Sequence, residues 1–293
     1  GLLNTKVIQQ NLDWIWPYWV ERQFNPNDAS FIPRGFSITH INLSHRNWTA
    51  VGLPDCSAYP IIDPAGLVTP FYDGYSIDAW VFNEEEQVLL PSKQEPDFQR
   101  YIFGEDSLRI ETEHSFNGFT LNNQCSVVPD HEKPYCQIDY HVKTHKSGWL
   151  ALCVRPYNPE GISFINSIQY ETEEQAWLIN KHSKLHLTAP PEKHAASNFL
   201  GGDVFRNLLH KPNIRHCKCD YGLATGAVLY RIDPSQNQPI SLRIDLSQDT
   251  EKESLIPVSS PDLSWKNALN HSAQLQFPDK NIEYLCNAAI RSL

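Results

Sequence analysis

Five consecutive residues, His216-Cys217-Lys218-Cys219-Asp220, put an imidazole, two thiols and a carboxylate into one short stretch. Zinc accepts all of these ligand types, but the C-x-C spacing has no second pair nearby, and on a strand both thiols face the same side. Ordinary strand cysteines fit the pattern better than a closed metal site. His141 and His145 stand four residues apart, as do His182 and His186. That spacing serves metal binding on a helix; both pairs lie in strand-like sequence, so surface or half-buried histidines are expected. No metal ligands are assigned.

Carboxylates are the next candidates, because cleavage of a glycosidic bond needs only two of them flanking the bond. Sequence spacing cannot locate such a pair, since its members come from distant segments, and no catalytic residue is assigned. The run at 84–86 in "NEEEQ" reads as a solvated loop. Asp63, Asp73 and Asp78 sit among turns and aromatics, which suits loop bracing and ligand contact alike. The segment 31–53 is the densest in special residues, with Arg34, His40, His45, Arg46, Asn47 and Trp48. Arg pairs planar groups in bidentate fashion and Trp offers a stacking face. Such a cluster fits a polar seam against another domain, and it also fits a sugar-binding patch. The candidate set for substrate binding or a domain interface is therefore Arg34, His45, Arg46, Asn47, Trp48, Asp73, Asp78 and Trp80. The sequence has no phosphate-cradling loop, no G-x-G-x-x-G turn, no H-E-x-x-H and no G-x-S-x-G, and no cofactor is expected.

The elements that must position these residues read as strands. Between punctuating Pro and Gly residues at 33–74 lie short β-branched or aromatic runs, "FSITHINL", "WTAVGL" and "YSIDAWVF". "SLRIETEHSFNGFTLNNQCSVVP" predicts a hairpin turning at Asn117-Gly118. "YCQIDYHVKTHKSGWLALCVRP" predicts two strands around Lys146-Ser147-Gly148, and the 163–189 region adds three short ones. "GLATGAVLYRIDPSQNQPISLRIDL" predicts a further hairpin across Pro234-Ser235-Gln236-Asn237. Helical patterning is confined to 6–16, to "GGDVFRNLLHK", and to the last segment, where Ile282, Leu285, Ala289 and Leu293 recur at helical spacing after Pro278-Asp279. Trp14, Trp16 and Trp19 around Pro17 predict an apolar anchor. The expected fold class is all-β, a large antiparallel β-supersandwich.

Composition narrows the partners. The chain has 293 residues, 41% hydrophobic and 20% charged, with eight Trp, twelve Tyr and thirteen Phe, enough to bury a large core. A formal charge of −10 lacks the basic footprint that nucleic acid requires, and no stretch is apolar enough to span a bilayer, so neither partner is expected. Seven cysteines, an odd number without framework spacing, predict reduced thiols and a cytoplasmic location. The sequons at Asn42, Asn47 and Asn270 carry little weight, and the chain contains no Met.

The stretch "WLALCVRPYNPEGISFINSIQYETEEQAWLIN" resembles a strand pair of bacterial glycogen debranching enzyme-like (amylo-α-1,6-glucosidase-like, glucoamylase-related) proteins. "GGDVF", "GLATGAVLYRIDPSQNQPISLRIDL" and "SWKNALNHSAQLQFPDKNIEYLCNAAIRSL" follow in that group's order, and "FIPRGFSITHINLSHRNWTAVGLPD" resembles its opening segment. The resemblance implies a β-supersandwich ahead of an (α/α)6 barrel, with Trp265, Leu269, Pro278, Asp279 and Ile282 in the linker that leads into the first barrel helix. It implies three parts: an opening segment at 1–30, the sandwich at 31–262, and a linker with a first helix at 263–293. Catalytic carboxylates would then lie on barrel loops outside these residues, and the partners would be the chain's own C-terminal barrel and an α-glucan or oligosaccharide. Two other classes stay open, a free-standing carbohydrate-binding module and a complete β-sandwich sugar-modifying enzyme.

Overall fold

A strand with one face in the core and one in water alternates apolar and polar residues, whereas a strand covered on both faces is apolar throughout. Both kinds occur in this chain. The computed structural model describes residues 14–23, 27–28, 48–54, 56–71, 73–85, 87–103, 108–130, 134–208, 213–235, 238–246, 264–270 and 275–292. After helix α1 (Tyr18–Gln23) come strands β1 (Thr49–Ala50), β2 (Ile61–Ile62), β3 (Val68–Thr69), β4 (Ser76–Phe82), β5 (Val88–Leu89) and β6 (Phe98–Phe103). Next along the chain are β7 (Leu108–Phe116), β8 (Phe119–Val128), β9 (Tyr135–Thr144), β10 (Gly148–Arg155), β11 (Tyr157–Asn158), β12 (Gly161–Ile162) and β13 (Ser167–Glu171). The series ends with β14 (Ala176–Ile179), β15 (Ser183–Leu187), β16 (Lys193–Ser197), β17 (His216–Lys218), β18 (Thr225–Ile232) and β19 (Ile240–Asp245), then helices α2 (Trp265–Leu269) and α3 (Lys280–Ser292).

These strands form an eight-stranded sheet in the order β1-β2-β3-β4-β10-β18-β16 with β5 beside β4, and a nine-stranded sheet in the order β17-β13-β14-β15-β19-β9-β8-β7-β6. A third, two-stranded ribbon pairs β11 with β12. All named pairings are antiparallel, so the all-β expectation is met. The nine-stranded sheet sends Cys125, Ile138, Tyr140, Leu185, Leu242 and Ile244 inward, against Ile77, Val81, Leu150, Leu152, Val154 and Val228 of the other sheet. The eight-stranded sheet has a second core on its outer face, where Trp80, Phe82, Trp149, Ala151, Cys153, Ala227 and Leu229 pack with Ile15, Val204 and Leu208.

The hairpin at Asn117-Gly118 forms as predicted: both residues have positive φ, 51° and 80°, as a two-residue primed turn requires. The hairpin predicted across 234–237 does not form. β18 pairs with β10 and β16 in one sheet, and β19 with β9 and β15 in the other, so the connection is a corner that crosses between sheets. The turn at 146–148 likewise carries the chain from β9 in one sheet to β10 in the other. Of the helix predicted over 6–16, residues 1–13 lie outside the described residues and 14–17 are not helical; the turn of helix begins at Tyr18. "GGDVFRNLLHK" contributes a short 3-10 helix, Val204–Asn207, and the final segment is the helix α3.

Candidate functional site

β4 and β10 run side by side with Asp78 opposite Cys153 and Ser76 opposite Arg155, and the two-residue period of a strand turns Asp78, Trp80, Cys153 and Arg155 to the same outer face. Arg155 meets Asp203 there in a bidentate pair, Nη1 to Oδ1 at 2.7 Å and Nη2 to Oδ2 at 2.5 Å, with both side chains 0% exposed. Asp203 also caps the 3-10 helix by accepting from the Phe205 amide at 3.1 Å. The guanidinium lies between rings of Trp14, Trp80 and Tyr157, at 5.5, 5.0 and 5.3 Å from their centroids. Burial alone would favour a neutral guanidine; the Asp203 charge reverses this and raises the Arg155 pKa well above its ordinary range.

This cluster grips the N-terminal segment. The Ile15 amide donates to Asp203 Oδ2 at 2.9 Å, while the Ile15 carbonyl accepts from Tyr157 Oη at 2.8 Å and Arg155 Nη2 at 3.2 Å. Four residues on, Trp19 Nε1 donates to Asp63 Oδ2 at 2.8 Å, and Asp63 Oδ1 accepts from the Ala65 and Leu67 amides. The expected tryptophan anchor is thus present, with Trp14, Trp16 and Trp19 all buried. Burial pushes the Asp63 carboxyl up to about 7 against the pull of these three N–H donors. Burial also raises Asp78, opposed by Ser92 Oγ at 2.5 Å, the Arg155 charge and Trp80 Nε1 at 2.8 Å. Each of these three carboxylates is saturated with donors and shut off from solvent, so none can exchange a proton with a substrate. What the cluster does is hold chain to chain.

The eight candidates divide. Arg34, His45, Arg46 and Asn47 lie outside the described residues. Asp78 and Trp80 are in the buried cluster. Trp48 is half-buried and Asp73 exposed, on the rim around the β11–β12 ribbon. There Trp48 Nε1 donates to Glu160, and Asn158 donates to the Gly74 carbonyl at 2.6 Å while its Oδ1 accepts from the Glu160 and Gly161 amides. Arg155, Tyr157, Asn158, Glu160 and Asp203 were not among the candidates as functional residues. The signal for the first four was the "RPYNPEG" text itself, every polar member of which makes a tie; Asp203 lies outside it, in "GGDVF".

The rim continues through Tyr75 and Ser183, whose hydroxyls are 3.0 Å apart, to Asn180, whose Nδ2 donates to the Phe164 carbonyl at 2.9 Å. A separate open groove of about 600 Å³ is lined by residues 169–174 with Arg215 and His216, and holds the carboxylates of Glu171, Glu173 and Glu174. Of its three carboxylates, Glu171 and Glu174 both pair with Lys184, at 3.7 and 2.6 Å, and Glu173 stands beside them on the turn between β13 and β14. Only His216–Lys218 of the "HCKCD" stretch form the edge strand β17, Cys219 being buried just beyond it, and no group of three His, Cys, Asp or Glu side chains suited to a metal occurs among the described residues. All seven cysteines are free thiols; Cys125 and Cys136 come closest, Sγ to Sγ 3.7 Å. No helix among the described residues is long and apolar enough to cross a membrane.

No family model matches the chain, and no curated protein matches it. Among solved structures it is similar to a bacterial glucoamylase complexed with acarbose, at 8% identity and a TM-score of 0.45, over 71% of this chain and 35% of that one. It is also similar to a 4-α-glucanotransferase from Thermococcus litoralis, at 7% identity and a TM-score of 0.39, over 70% of this chain and 40% of that one. The chain therefore spans well under half of either protein. Similarity at this level assigns neither family nor function to the chain.

Proposed function

We propose that this chain is the non-catalytic N-terminal β-sandwich domain of a glycogen-debranching-like α-glucosidase, a cytoplasmic glycoside hydrolase, and that it supports a C-terminal (α/α)6 barrel and borders its glucan groove. The observation that carries this reading is helix α3. On its inner side Ala288 is buried, Tyr284 Oη donates to the Tyr101 carbonyl of β6, and Arg291 lies over the Trp265 ring of α2. Its outer side presents Ile282, Leu285 and Ala289 as one exposed stripe, at the i, i+3, i+7 spacing of a face that packs on another helix. Trp265 itself is buried, with Nε1 donating to the Gly52 carbonyl at 3.1 Å, which fixes the linker to the sandwich. The buried carboxylates supply the complementary reason, because Asp63, Asp78 and Asp203, the aspartates buried among the described residues, all serve bracing.

Catalysis in the whole protein would be hydrolysis of an α-glucosidic bond with inversion, by an acid and a base on barrel loops. The test is to read the coding frame past Leu293, express the extended product beside the 293-residue chain, and assay both for glucose release from malto-oligosaccharides. The extended product is expected to release glucose and the shorter chain none. A stop codon directly after Leu293, or turnover by the shorter chain, would overturn the proposal.

A further inference from the structure

We propose that the rim carries a binding ridge for a neutral oligosaccharide, built from the rings of Phe164 and Tyr221 and the side chains of Asn166 and Asp220. Phe164 is 57% exposed and Tyr221 60%. Neither is loose. The segments that carry them are bonded to each other: the Ile165 amide donates to the Gly222 carbonyl at 2.7 Å, the Ala224 amide to Ile165 at 3.0 Å, and the Cys219 amide to Asn166 at 2.9 Å. The Phe164 ring lies directly on Gly222, where a Cβ would come within 2.5 Å of Cδ1 and where φ is +69°. Only glycine permits that contact. Asn180 fixes the Phe164 carbonyl and, through Oδ1, the Asn166 amide at 2.7 Å. Tyr221 is propped by Phe199, ring centroids 5.0 Å apart.

The two rings are therefore set in advance, so their ordering cost has been met by the fold rather than by binding. Beside them, the Asn166 carboxamide and the Asp220 carboxylate are exposed and engaged with no other described side chain. An apolar protein face laid over this ridge would strip water from both groups and return no partner. A pyranose satisfies all four residues, with its C–H face on a ring and neighbouring hydroxyls on the amide and the carboxylate. That an α-linked glucan is the preferred sugar rests on the function proposed above; the ridge does not.

The experiment is affinity electrophoresis of the 293-residue chain in native gels containing glycogen, with xylan gels in parallel, followed by calorimetry with maltoheptaose. Glycogen is expected to retard the chain. Phe164→Ala and Tyr221→Ala, checked for unchanged melting, should each weaken binding about tenfold. Phe116→Ala, which removes a ring of similar exposure (52%) on the β7–β8 hairpin, should not. Retardation by xylan alone would keep the ridge and remove the α-glucan. Glucose release by the chain would overturn the non-catalytic reading and leave the ridge standing. Absence of any retardation, or ridge variants that bind like the parent, would overturn the ridge. So would a concentration-dependent dimer that these variants dissolve while no glycan binds.

Discussion

Two Arg–carboxylate pairs sit on the outer faces of the two large sheets, and they live under different physics. Arg155–Asp203 is 0% exposed on both sides, roofed by the N-terminal segment and the 3-10 helix. Arg100–Glu111 lies on the outer face of the nine-stranded sheet, with Arg100 57% exposed and Glu111 8%. β10 around the first reads as buried throughout, "GWLALCVR", whereas β7 and β8 around the second alternate. Polar chemistry on the covered sheet has become a fixed joint, because a buried charge must keep its partner. On the open sheet water can replace any partner that leaves. A side chain's role here follows from what roofs its sheet more than from its residue type.

The largest effect should come from breaking the covered pair alone. Asp203→Ala leaves Arg155 charged and buried, and should lower unfolding free energy by about 3–5 kcal/mol in urea titrations. It also removes the acceptor of the Ile15 amide, so trypsin should cut at Arg22 faster in the variant. Replacing both partners, Arg155→Met with Asp203→Leu, should recover most of the loss. If the single and double variants are equally destabilised, packing rather than unpaired charge sets the cost.

Next come the acid–base groups that join the sheets at the 63–67 turn. His114 of the nine-stranded sheet bonds the Ala65 carbonyl through Nε2 at 3.0 Å, and burial lowers its pKa to about 4. Between about pH 4 and 6.5 the unfolded chain binds the extra proton at this site, so stability rises with pH. Asp63, raised to about 7, works the other way: from its ordinary 3.8 up to about 7 the folded chain holds the proton, and stability falls as pH rises. The effect is about 3 kcal/mol for His114 and about 4 for Asp63, and because they oppose, the parent's profile across this window should slope only weakly, falling slightly as pH rises. Asp63→Asn should make stability climb with pH, and His114→Gln should make it fall. Parallel profiles for the two variants would show that the groups do not titrate as opposites.

Much of this division could be read in the sequence, and the failures have definite causes. The Asn117-Gly118 hairpin was legible because two adjacent residues that tolerate positive φ determine it locally. The corner at 233–239 was not, because pairing of β18 is decided by β10 and β16, far away in the chain. A clue existed in the contrast between β18, buried at all but Arg231, and β19, which alternates. Strands with unlike burial patterns belong to unlike surroundings. Asp78 and Trp80 were candidates for substrate binding or a domain interface, and the roof over β4 encloses both in a buried brace that no local signal describes. Asp203 was invisible as Arg155's partner, since nothing local links positions 48 residues apart.

The open pair should matter far less than the covered one. Glu111 accepts from Arg100 Nε at 2.8 Å and Asn122 Nδ2 at 2.7 Å, which outweigh burial and hold its carboxyl below the ordinary range. Its contribution is present above about pH 4.5 and fades as pH falls below that. Arg100→Ala should cost about 0.2–1 kcal/mol at low salt and less at high salt. A salt-independent loss of several kcal/mol would place this pair with Arg155–Asp203 and erase the contrast between the sheets.

The smallest effect is expected where a helix has two faces in one molecule. Ala288 of α3 is buried, while Leu285, one turn away, is 65% exposed. Leu285→Ser should change the unfolding free energy of the 293-residue chain by less than about 0.5 kcal/mol, as for an ordinary surface site. The substitution should nonetheless reduce any self-association seen by sedimentation at high concentration, because an exposed apolar stripe seeks cover. A near-zero effect on stability together with weaker association places the role of Leu285 outside the sandwich, on the surface assigned to the barrel. A loss of about 2 kcal/mol or more in dilute, monomeric chain would mean that Leu285 is already covered by this chain's own residues, and α3 would then have no free face to offer a barrel.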